Sequence, residues 1–353
     1  MKAQEVLFSE HLEYNLEKAI LGCSYDKIFI LVDTTTDRLC LPLVMNFNCL
    51  KNAIVISVGA TDTHKTLETL VSIWTALSNQ GASRHSLFIN IGGGMITDLG
   101  GFAASTFKRG IPYINIPTTL LAMVDASVGG KTGINFNGLK NEIGVFSSAH
   151  TVIIDTEFLK SLDSNNIRSG FAEMLKHGLI SNMNHWTDLI NFDLNKIDYK
   201  SLQYLIEYSI KIKENIVTED PHEHGIRKAL NLGHTIGHAF ESLALAEKRP
   251  ILHGYAVAYG IVCELYASCI KTGFPKNIMQ QTINFIKKYY GIFFFNCKEY
   301  DRLYEFMKHD KKNEGDIINF TLLDSIGNIH INQTATQEEI YEMFDFYRET
   351  MGC

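Results

Sequence analysis

The strongest constraint on the fold is a series of short apolar runs that alternate with helical patterns in the first half of the chain. Five runs, rich in β-branched and aromatic residues, are candidate strands: residues 27–33, 52–59, 86–94, 113–117 and 150–156. Apolar runs without a polar face, separated by helices, are typical of parallel strands that are covered on both sides. The pattern therefore predicts an α/β fold with a parallel, Rossmann-like sheet and a nucleotide crevice at the carboxyl ends of its strands.

After about residue 160 the pattern changes from strands to helices. Apolar residues recur at helical spacing in four long segments, and only residues 317–323 and 328–332 indicate strands, in a small late hairpin. We therefore predict two domains, an α/β domain over residues 1–160 and a mainly α-helical domain over residues 161–353.

Charge and composition exclude several classes of protein. The net charge of −7 argues against nucleic acid or an anionic membrane as the main partner, although it permits a local basic pocket for an acidic substrate. No stretch approaches the ~20 apolar residues of a membrane span, and early acidic residues argue against a signal peptide. The seven cysteines form no CxxC pair, which indicates reduced thiols in a cytosolic protein.

Three glycines, Gly92, Gly93 and Gly94, follow the third apolar run and precede a predicted helix. Glycine lets backbone amides approach an anion, and the start of a helix adds a partial positive charge. The loop predicts either a nucleotide phosphate site or a tight strand–helix turn, and Thr97 replaces the third glycine of the dinucleotide fingerprint. Asp33, which ends the first run, is expected to bond a ribose hydroxyl or to cap a helix.

Histidines and one glutamate in separate helical segments form a candidate metal site. His234 and His238 lie one helical turn apart beside glycines, and His253 lies at a predicted helix start. The candidate glutamate is Glu173. One glutamate with two histidines is a zinc-ligand set that leaves room for substrate oxygens. The alternative is that these histidines are structural.

Basic residues gather near the same segments, at Lys140, Lys176, Lys213, Arg227 and, further away, Arg109. Most lysine and arginine side chains are solvated surface charges. A cluster of them would instead suit a small substrate that carries several negative charges.

Long blocks of the sequence resemble 3-dehydroquinate synthases. The longest is GGGMITDLGGFAASTFKRGIPYINIPTTLLAMVDASVGGKTGIN, and KNEIGVF follows it. SGFAEMLKHGLI, KENIVTED, GIRKALNLGHTIGHAFE and LHGYAVAYG then occur in the family's order, and HDKKNEGDIINFTLL is similar to its C-terminal lysine segment. The resemblance covers nearly the whole chain. It implies a dehydroquinate synthase-like fold, with an NAD-binding domain followed by a helical metal- and substrate-binding domain.

The resemblance also implies an activity, two cofactors and an assembly. The substrate is expected to be 3-deoxy-D-arabino-heptulosonate 7-phosphate, and the products 3-dehydroquinate and phosphate, in the shikimate route to aromatic amino acids. The expected course is transient oxidation by NAD+, phosphate elimination, re-reduction, ring opening and an intramolecular aldol closure. One Zn2+ or Co2+ ion per subunit, a homodimer and a cytoplasmic location are expected as well.

Site residues follow from the same resemblance, position by position. Glu173, His234 and His253 match metal ligands, and His238 matches a substrate-side proton-transfer residue. The cofactor side is expected to include Asp33, Asp62, Lys65, Gly93, Gly94, Asp98, Thr118, Thr119, Asp125, Lys131, Lys140 and Ser161. The substrate side is expected to include Lys131, Asn141, Lys176, Lys213, Arg227, Asn231 and Lys311 or Lys312, with Arg109 lent across the dimer interface to the phosphate.

The sequence departs from the family pattern at two places. Tyr255 stands where many relatives carry a glutamate after the third metal ligand, so we expect altered surroundings of that ligand. The usual Gly-Glu pair before Lys65 is missing, and Asp62 would stand in for the absent acid.

Three alternatives remain beside the synthase. Other sugar-phosphate cyclases share the scaffold, but Lys213, Arg227 and Asn231 favour a substrate with a carboxylate. A metal-dependent polyol dehydrogenase would consume NAD+ stoichiometrically. A catalytically inactive binding protein would not need to retain the candidate metal ligands and the lysines together.

Overall fold

The computed structural model describes residues 4–137, 139–308 and 317–353. The chain divides into two compact units, Met1–Asp163 and Ser164–Cys353. Among the described residues, no helix is long and apolar enough to cross a membrane.

The first unit contains a six-stranded parallel sheet and a separate antiparallel hairpin. Its strands are β1 (Glu5–Phe8), β2 (Ile28–Asp33), β3 (Ile54–Val58), β4 (Leu87–Gly92), β5 (Tyr113–Pro117), β6 (Lys131–Phe136), β7 (Leu139–Phe146) and β8 (Thr151–Ile154). The order in the sheet is β1-β8-β5-β4-β2-β3, and every pairing in it is parallel. The predicted parallel sheet is therefore confirmed, and all five predicted strands belong to it.

Helices cover the sheet, which explains why its central strands are mostly apolar, with a hydrogen-bonded pair, Asn90 and Asn115, as a polar exception. Strands β2 and β4 are buried at every position. The helices of this unit are α1 (Leu12–Leu21), α2 (Thr34–Leu39), α3 (Leu67–Asn79) and α4 (Gly94–Thr106). Helix α3 buries Leu70, Ile73 and Leu77, a spacing that forms one apolar face.

Two features of this unit were not anticipated. Strand β1 has four residues and an exposed or half-buried pattern, so it lacks the apolar run that marks the other strands. The hairpin of β6 and β7 is antiparallel, and β7 is exposed along its whole length. It carries Lys131, Lys140 and Asn141, three of the expected site residues.

The second unit is mainly helical, as predicted. Its helices are α5 (Ser164–Ser181), α6 (Met183–Ile190), α7 (Tyr199–Glu219), α8 (His234–Ala246), α9 (His253–Lys271), α10 (Lys276–Tyr290), α11 (Tyr300–Lys308) and α12 (Gln337–Met351). Strands β9 (Asn319–Ser325) and β10 (Asn328–Thr334) form the predicted antiparallel hairpin. An aromatic cluster lies in the core, where the ring of Phe240 on α8 packs within 5.1–6.1 Å of Phe293, Phe295, Phe344 and Tyr347.

Candidate active site

Three helices of the second unit bring Glu173, His234 and His253 together. Glu173 lies in the middle of α5, whereas His234 and His253 are the first residues of α8 and α9. Glu173 Oε1 lies 3.4 Å from His234 Nε2 and 3.4 Å from His253 Nε2. Residues that are 61 and 80 positions from Glu173 in the sequence, by subtraction, thus converge on one oxygen atom.

The three side chains fit a divalent metal ion. Glu173 is completely buried, and its Oε1 accepts no hydrogen bond. A buried carboxylate oxygen without a hydrogen bond is costly unless something else compensates it. Ligand atoms about 2.0–2.1 Å from a tetrahedral zinc ion lie about 3.3 Å apart, which is close to the observed spacing.

Hydrogen bonds orient both imidazoles for such a role. His234 Nδ1 lies 3.1 Å from the Leu232 carbonyl oxygen, and His253 Nδ1 lies 3.4 Å from Glu241 Oε2. An Nδ1–H that donates to an oxygen leaves the lone pair on Nε2, the atom that faces Glu173. Glu241 was not identified from the sequence, although it lies two helical turns after His234.

Charge in this cluster is balanced locally. The Lys176 ammonium bonds to Glu173 Oε2, the oxygen that does not face the imidazoles. Burial by itself would raise the pKa of Glu173, but Lys176 and His234 hold that pKa well below its usual value. Burial by itself would lower the pKa of His253, but Glu173 and Glu241 raise it to about 10. The carboxylates therefore favour a positive charge at this place.

His238 joins the same cluster from the next turn of α8. Its ring centroid lies 5.4 Å from that of His234 and 5.7 Å from that of His253. The candidate ligand nitrogens of the three histidines all lie within 4.8 Å of one another. Two ligand sets are thus geometrically available, and they share His234 and His253.

Glycines allow α8 and α9 to cross in direct contact. A Cβ at Gly260 would lie 2.0 Å from the Gly233 carbonyl oxygen, and one at Gly237 would lie 2.8 Å from the Ala256 carbonyl oxygen. Real Cβ atoms do not approach backbone atoms this closely, so larger residues would force the helices apart. The glycines beside the histidine pair therefore serve the crossing that brings His234 and His253 together.

Three expected substrate-side cations in this unit are buried. Lys176, Lys213 and Arg227 expose 1%, 6% and 2% of their surface, which excludes solvated surface charges. Arg227 Nη1 donates to the Pro221 carbonyl, and Asn231 Nδ2 donates to Glu223 Oε1. Lys311 and Lys312 lie outside the described residues.

Four of the expected cofactor residues, Gly93, Gly94, Thr118 and Thr119, lie at the carboxyl ends of β4 and β5. Gly93 is the N-cap of α4, and a Cβ there would lie 3.0 Å from Thr119 Cγ2. The Thr118 amide donates to the Gly92 carbonyl, which joins the two strand ends. The glycine loop thus opens directly into a helix N-terminus, an arrangement that suits an anion.

A second group lies between α3, α4 and the exposed hairpin. Lys65 is buried, and its Nζ lies 2.5 Å from Asp98 Oδ2 while it also donates to Asn141 Oδ1. Lys140 Nζ lies 3.8 Å from Asp62 Oδ2, and both side chains are exposed. Asp62 and Lys65, the two residues affected by the missing Gly-Glu pair, are therefore each paired with another expected site residue.

Four further predicted residues, Asp33, Ser161, Asp125 and Arg109, lie in turns or make local hydrogen bonds. Asp33 accepts hydrogen bonds from the Thr35 and Thr36 amides and caps α2, which is one of its two expected roles. Ser161 Oγ donates to the Phe158 carbonyl, and Asp125 lies in the π-helical turn Ala122–Ala126. Arg109 is exposed in a turn, with a backbone φ of 71°.

Tyr255 does not take over the position of a ligand partner. Its hydroxyl donates to Asn165 Oδ1 at 3.0 Å, and its ring packs 5.1 Å from that of Tyr290. The carboxylate beside His253 comes instead from Glu241.

Comparison with known proteins agrees with this architecture. Family models described as 3-dehydroquinate synthase N-terminal and C-terminal match residues 55–169 and 170–313. The 3-dehydroquinate synthase of Parabacteroides distasonis is 56% identical over 352 residues, which cover 100% of each chain.

Two solved structures share the fold at lower identity. The 2-epi-5-epi-valiolone synthase of Streptomyces hygroscopicus, with NAD+ and Zn2+ bound, has a TM-score of 0.87 at 22% identity and covers 99% of this chain and 98% of its own. A 2-deoxy-scyllo-inosose synthase complexed with carbaglucose-6-phosphate, NAD+ and Co2+ has a TM-score of 0.84 at 24% identity, covering 98% and 96%. By its two family models and its full-length relative, this chain belongs to the 3-dehydroquinate synthase family.

Proposed function

We propose that this chain is a 3-dehydroquinate synthase that converts 3-deoxy-D-arabino-heptulosonate 7-phosphate to 3-dehydroquinate and phosphate. The observation that carries the proposal is the buried Glu173 carboxylate, whose Oε1 faces the Nε2 atoms of His234 and His253. In a chain of this family, these three side chains are suited to hold a metal ion that binds substrate hydroxyls.

Glu173, His234 and His253 would hold one divalent ion, Zn2+ or Co2+, in each subunit. Such an ion, when bound, supplies a Lewis acid that makes a coordinated hydroxyl easier to deprotonate. His238 lies beside the ligands without being needed among them, so it is assigned to proton transfer at the substrate. The three-histidine set is the alternative that mutation must separate from this assignment.

The α/β domain, residues 1–160, would bind NAD+, and residues 161–353 would bind metal and substrate. NAD+, when bound, supplies a reversible hydride acceptor. The helix N-terminus behind Gly93 and Gly94 suits the pyrophosphate. The other cofactor-side residues would be Asp33, Asp62, Lys65, Asp98, Thr118, Thr119, Asp125, Lys131, Lys140 and Ser161. Both related structures that share the fold were determined with NAD+.

Buried cations would recognise the charged groups of the substrate. Lys213, Arg227 and Asn231, with Lys311 or Lys312, would bind the carboxylate, and Lys131, Asn141 and Lys176 would contact the rest of the molecule. Burial strengthens the interactions of Lys176, Lys213 and Arg227, because a cation shielded from water attracts an anion more strongly. Lys131 and Asn141 are exposed.

The active form would be a cytoplasmic homodimer in which Arg109 reaches the neighbouring site. Lys108 and Arg109 both have a positive φ, 50° and 71°, in an exposed turn. Left-handed backbone is costly outside glycine and often marks functional positions. Here it holds two cationic side chains outward at the end of α4.

The test is phosphate release from the heptulosonate phosphate, measured with and without chelator and with and without NAD+. We expect release that needs both cofactors while the NADH absorbance band stays flat, because the hydride returns within each turnover. Stoichiometric NADH would instead identify a polyol dehydrogenase. Turnover of a heptulose phosphate without the carboxylate, in preference to the acid, would identify another sugar-phosphate cyclase.

A further inference from the structure

Helix α8 begins without a side chain of its own to cap it. Its N-cap is Gly233, with a left-handed φ of 79°. The first amide groups of a helix have no partner inside the helix, and serine, threonine, asparagine or aspartate at the N-cap usually bonds one of them. No such residue fits here, since a Cβ at position 233 would lie 2.6 Å from Ile261 Cγ1 and 2.9 Å from the Val257 carbonyl oxygen.

A carboxylate from α9 takes the place of the missing cap. The Gly233 amide donates to Glu264 Oε2 at 2.6 Å, and the Ile236 amide donates to Glu264 Oε1 at 3.2 Å. Glu264 is completely buried. The partial positive charge at the start of α8 stabilises a carboxylate at this place.

Glu264 lies on the face of α9 that carries the metal-ligand candidate. It follows His253 by 11 positions, which is about three helical turns. Gly260 lies on the same face, against the Gly233 carbonyl. Glu264 therefore lies on the face of α9 that contacts the start of α8, where His234 lies.

The two helices contact each other's first turns through carboxylates, in an antiparallel arrangement. Glu264, late in α9, bonds the first turn of α8, and Glu241, in the second half of α8, contacts His253 at the start of α9. Each helix therefore offers a carboxylate to the first turn of the other. Those first turns carry the two imidazoles that face Glu173.

We propose that Glu264 is a positioning residue for the metal site, which fixes the first turn of α8 and with it the imidazole of His234. The inference rests on the metal site proposed above. His234 lies between the two amides that Glu264 binds, and its Nδ1 contacts the carbonyl of Leu232, just before the cap. Any rotation of this turn moves His234 Nε2 away from Glu173.

Replacement Glu264→Gln tests the role with little change in volume. The amide nitrogen of glutamine must face the Gly233 or the Ile236 amide, so that two donors meet. We expect the zinc dissociation constant to rise on the order of 10- to 100-fold, which is the usual range when a residue that orients a metal ligand is lost. The visible spectrum of the Co2+-loaded protein should also change, because the coordination geometry is altered.

Ser268→Ala is the matched control on the same helix. Ser268 is completely buried one turn after Glu264, where its Oγ donates to the Glu264 carbonyl and accepts from the Leu323 amide. Its loss removes buried hydrogen bonds from α9 without altering the cap of α8. We expect lower stability in urea but unchanged zinc affinity and an unchanged cobalt spectrum.

The dissociation constants of the three proteins are measured by competition with a chromophoric chelator. Wild-type zinc affinity in Glu264→Gln, or an equal loss in Ser268→Ala, overturns the positioning role. A wild-type protein that binds no zinc overturns the metal site itself, which is a distinct failure. If Glu264→Gln does not fold, amide hydrogen exchange of metal-free wild-type protein decides: slow exchange at Gly233 and Ile236 supports the cap, and exchange at the rate of an unprotected chain refutes it.

Discussion

The ion pair between Glu173 and Lys176 allows the structural role of the glutamate to be separated from metal binding. The pair is buried, with side-chain exposures of 0% and 1%. Each carboxylate oxygen has its own task, since Oε2 accepts from Lys176 and Oε1 faces His234 and His253. Glu173→Gln alters both tasks, whereas Lys176→Met alters only the first.

The expected magnitudes follow from this geometry. Removing one partner of a buried ion pair costs about 3–5 kcal/mol, because the remaining charge is desolvated without compensation, while replacing both partners costs far less. Metal-free Glu173→Gln should therefore lose about 3–5 kcal/mol of unfolding free energy. The double variant Glu173→Gln/Lys176→Met should recover most of this loss but should not recover zinc affinity.

Urea unfolding of metal-free and zinc-loaded proteins provides the measurement. Lys176→Met serves as the control, because it leaves Oε1 intact. Zinc should stabilise Lys176→Met more than it stabilises wild type, since the ion then supplies the positive charge that Glu173 lacks. Wild-type zinc affinity in the double variant would show that Glu173 is not a ligand and would favour the three-histidine set. Full stability of metal-free Glu173→Gln would refute the argument from the ion pair.

Three further outcomes are expected. His234→Ala should abolish turnover and weaken zinc binding, whereas His238→Ala should slow turnover and keep the zinc, so equal zinc loss in both would contradict the division of roles. Arg109→Ala should impair phosphate binding, and mixing it with His234→Ala should restore about one quarter of the sites in freely exchanging dimers; no recovery would count against a shared site. Burial lowers the pKa of His185 to about 4 from 6.5. Between those values the unfolded chain binds a proton that the folded protein does not, so stability should fall by about 2 kcal/mol from pH 7 to pH 5 through this group. His185→Gln should flatten this dependence in urea titrations, and an unchanged slope would show that His185 is not the cause.

The parallel sheet could be predicted because the apolar pattern of each buried strand lies within a few consecutive residues. Strands β2 and β4 are buried at every position and are almost entirely apolar, with Asn90 inside β4 and Asp33 at the end of β2 as the polar exceptions. Such a run can be recognised without knowing which strand pairs with it. Strand β1 was missed because an edge strand of four half-exposed residues has no such run. The hairpin of β6 and β7 was missed for the same reason, since an exposed strand keeps a mixed composition.

Candidate site residues could be named from motifs, but the residues that support them could not. Glu241 ends the block GIRKALNLGHTIGHAFE, but no role was assigned to it, and Glu264 lies outside the quoted blocks. The role of each depends on the other helix of a crossing pair, which the sequence does not show. Asp33 shows the same limit, since only its contacts with Thr35 and Thr36 identify it as a cap.

The amino-acid sequence by itself determined the class of fold and the set of chemically capable side chains, because apolar spacing and residue type act over a few positions along the chain. Tertiary structure alone decided which of those side chains meet. His234, His253 and Glu173 face one another only because Gly233, Gly237 and Gly260 let two helices cross at contact distance, and that crossing depends on residues far apart in the sequence.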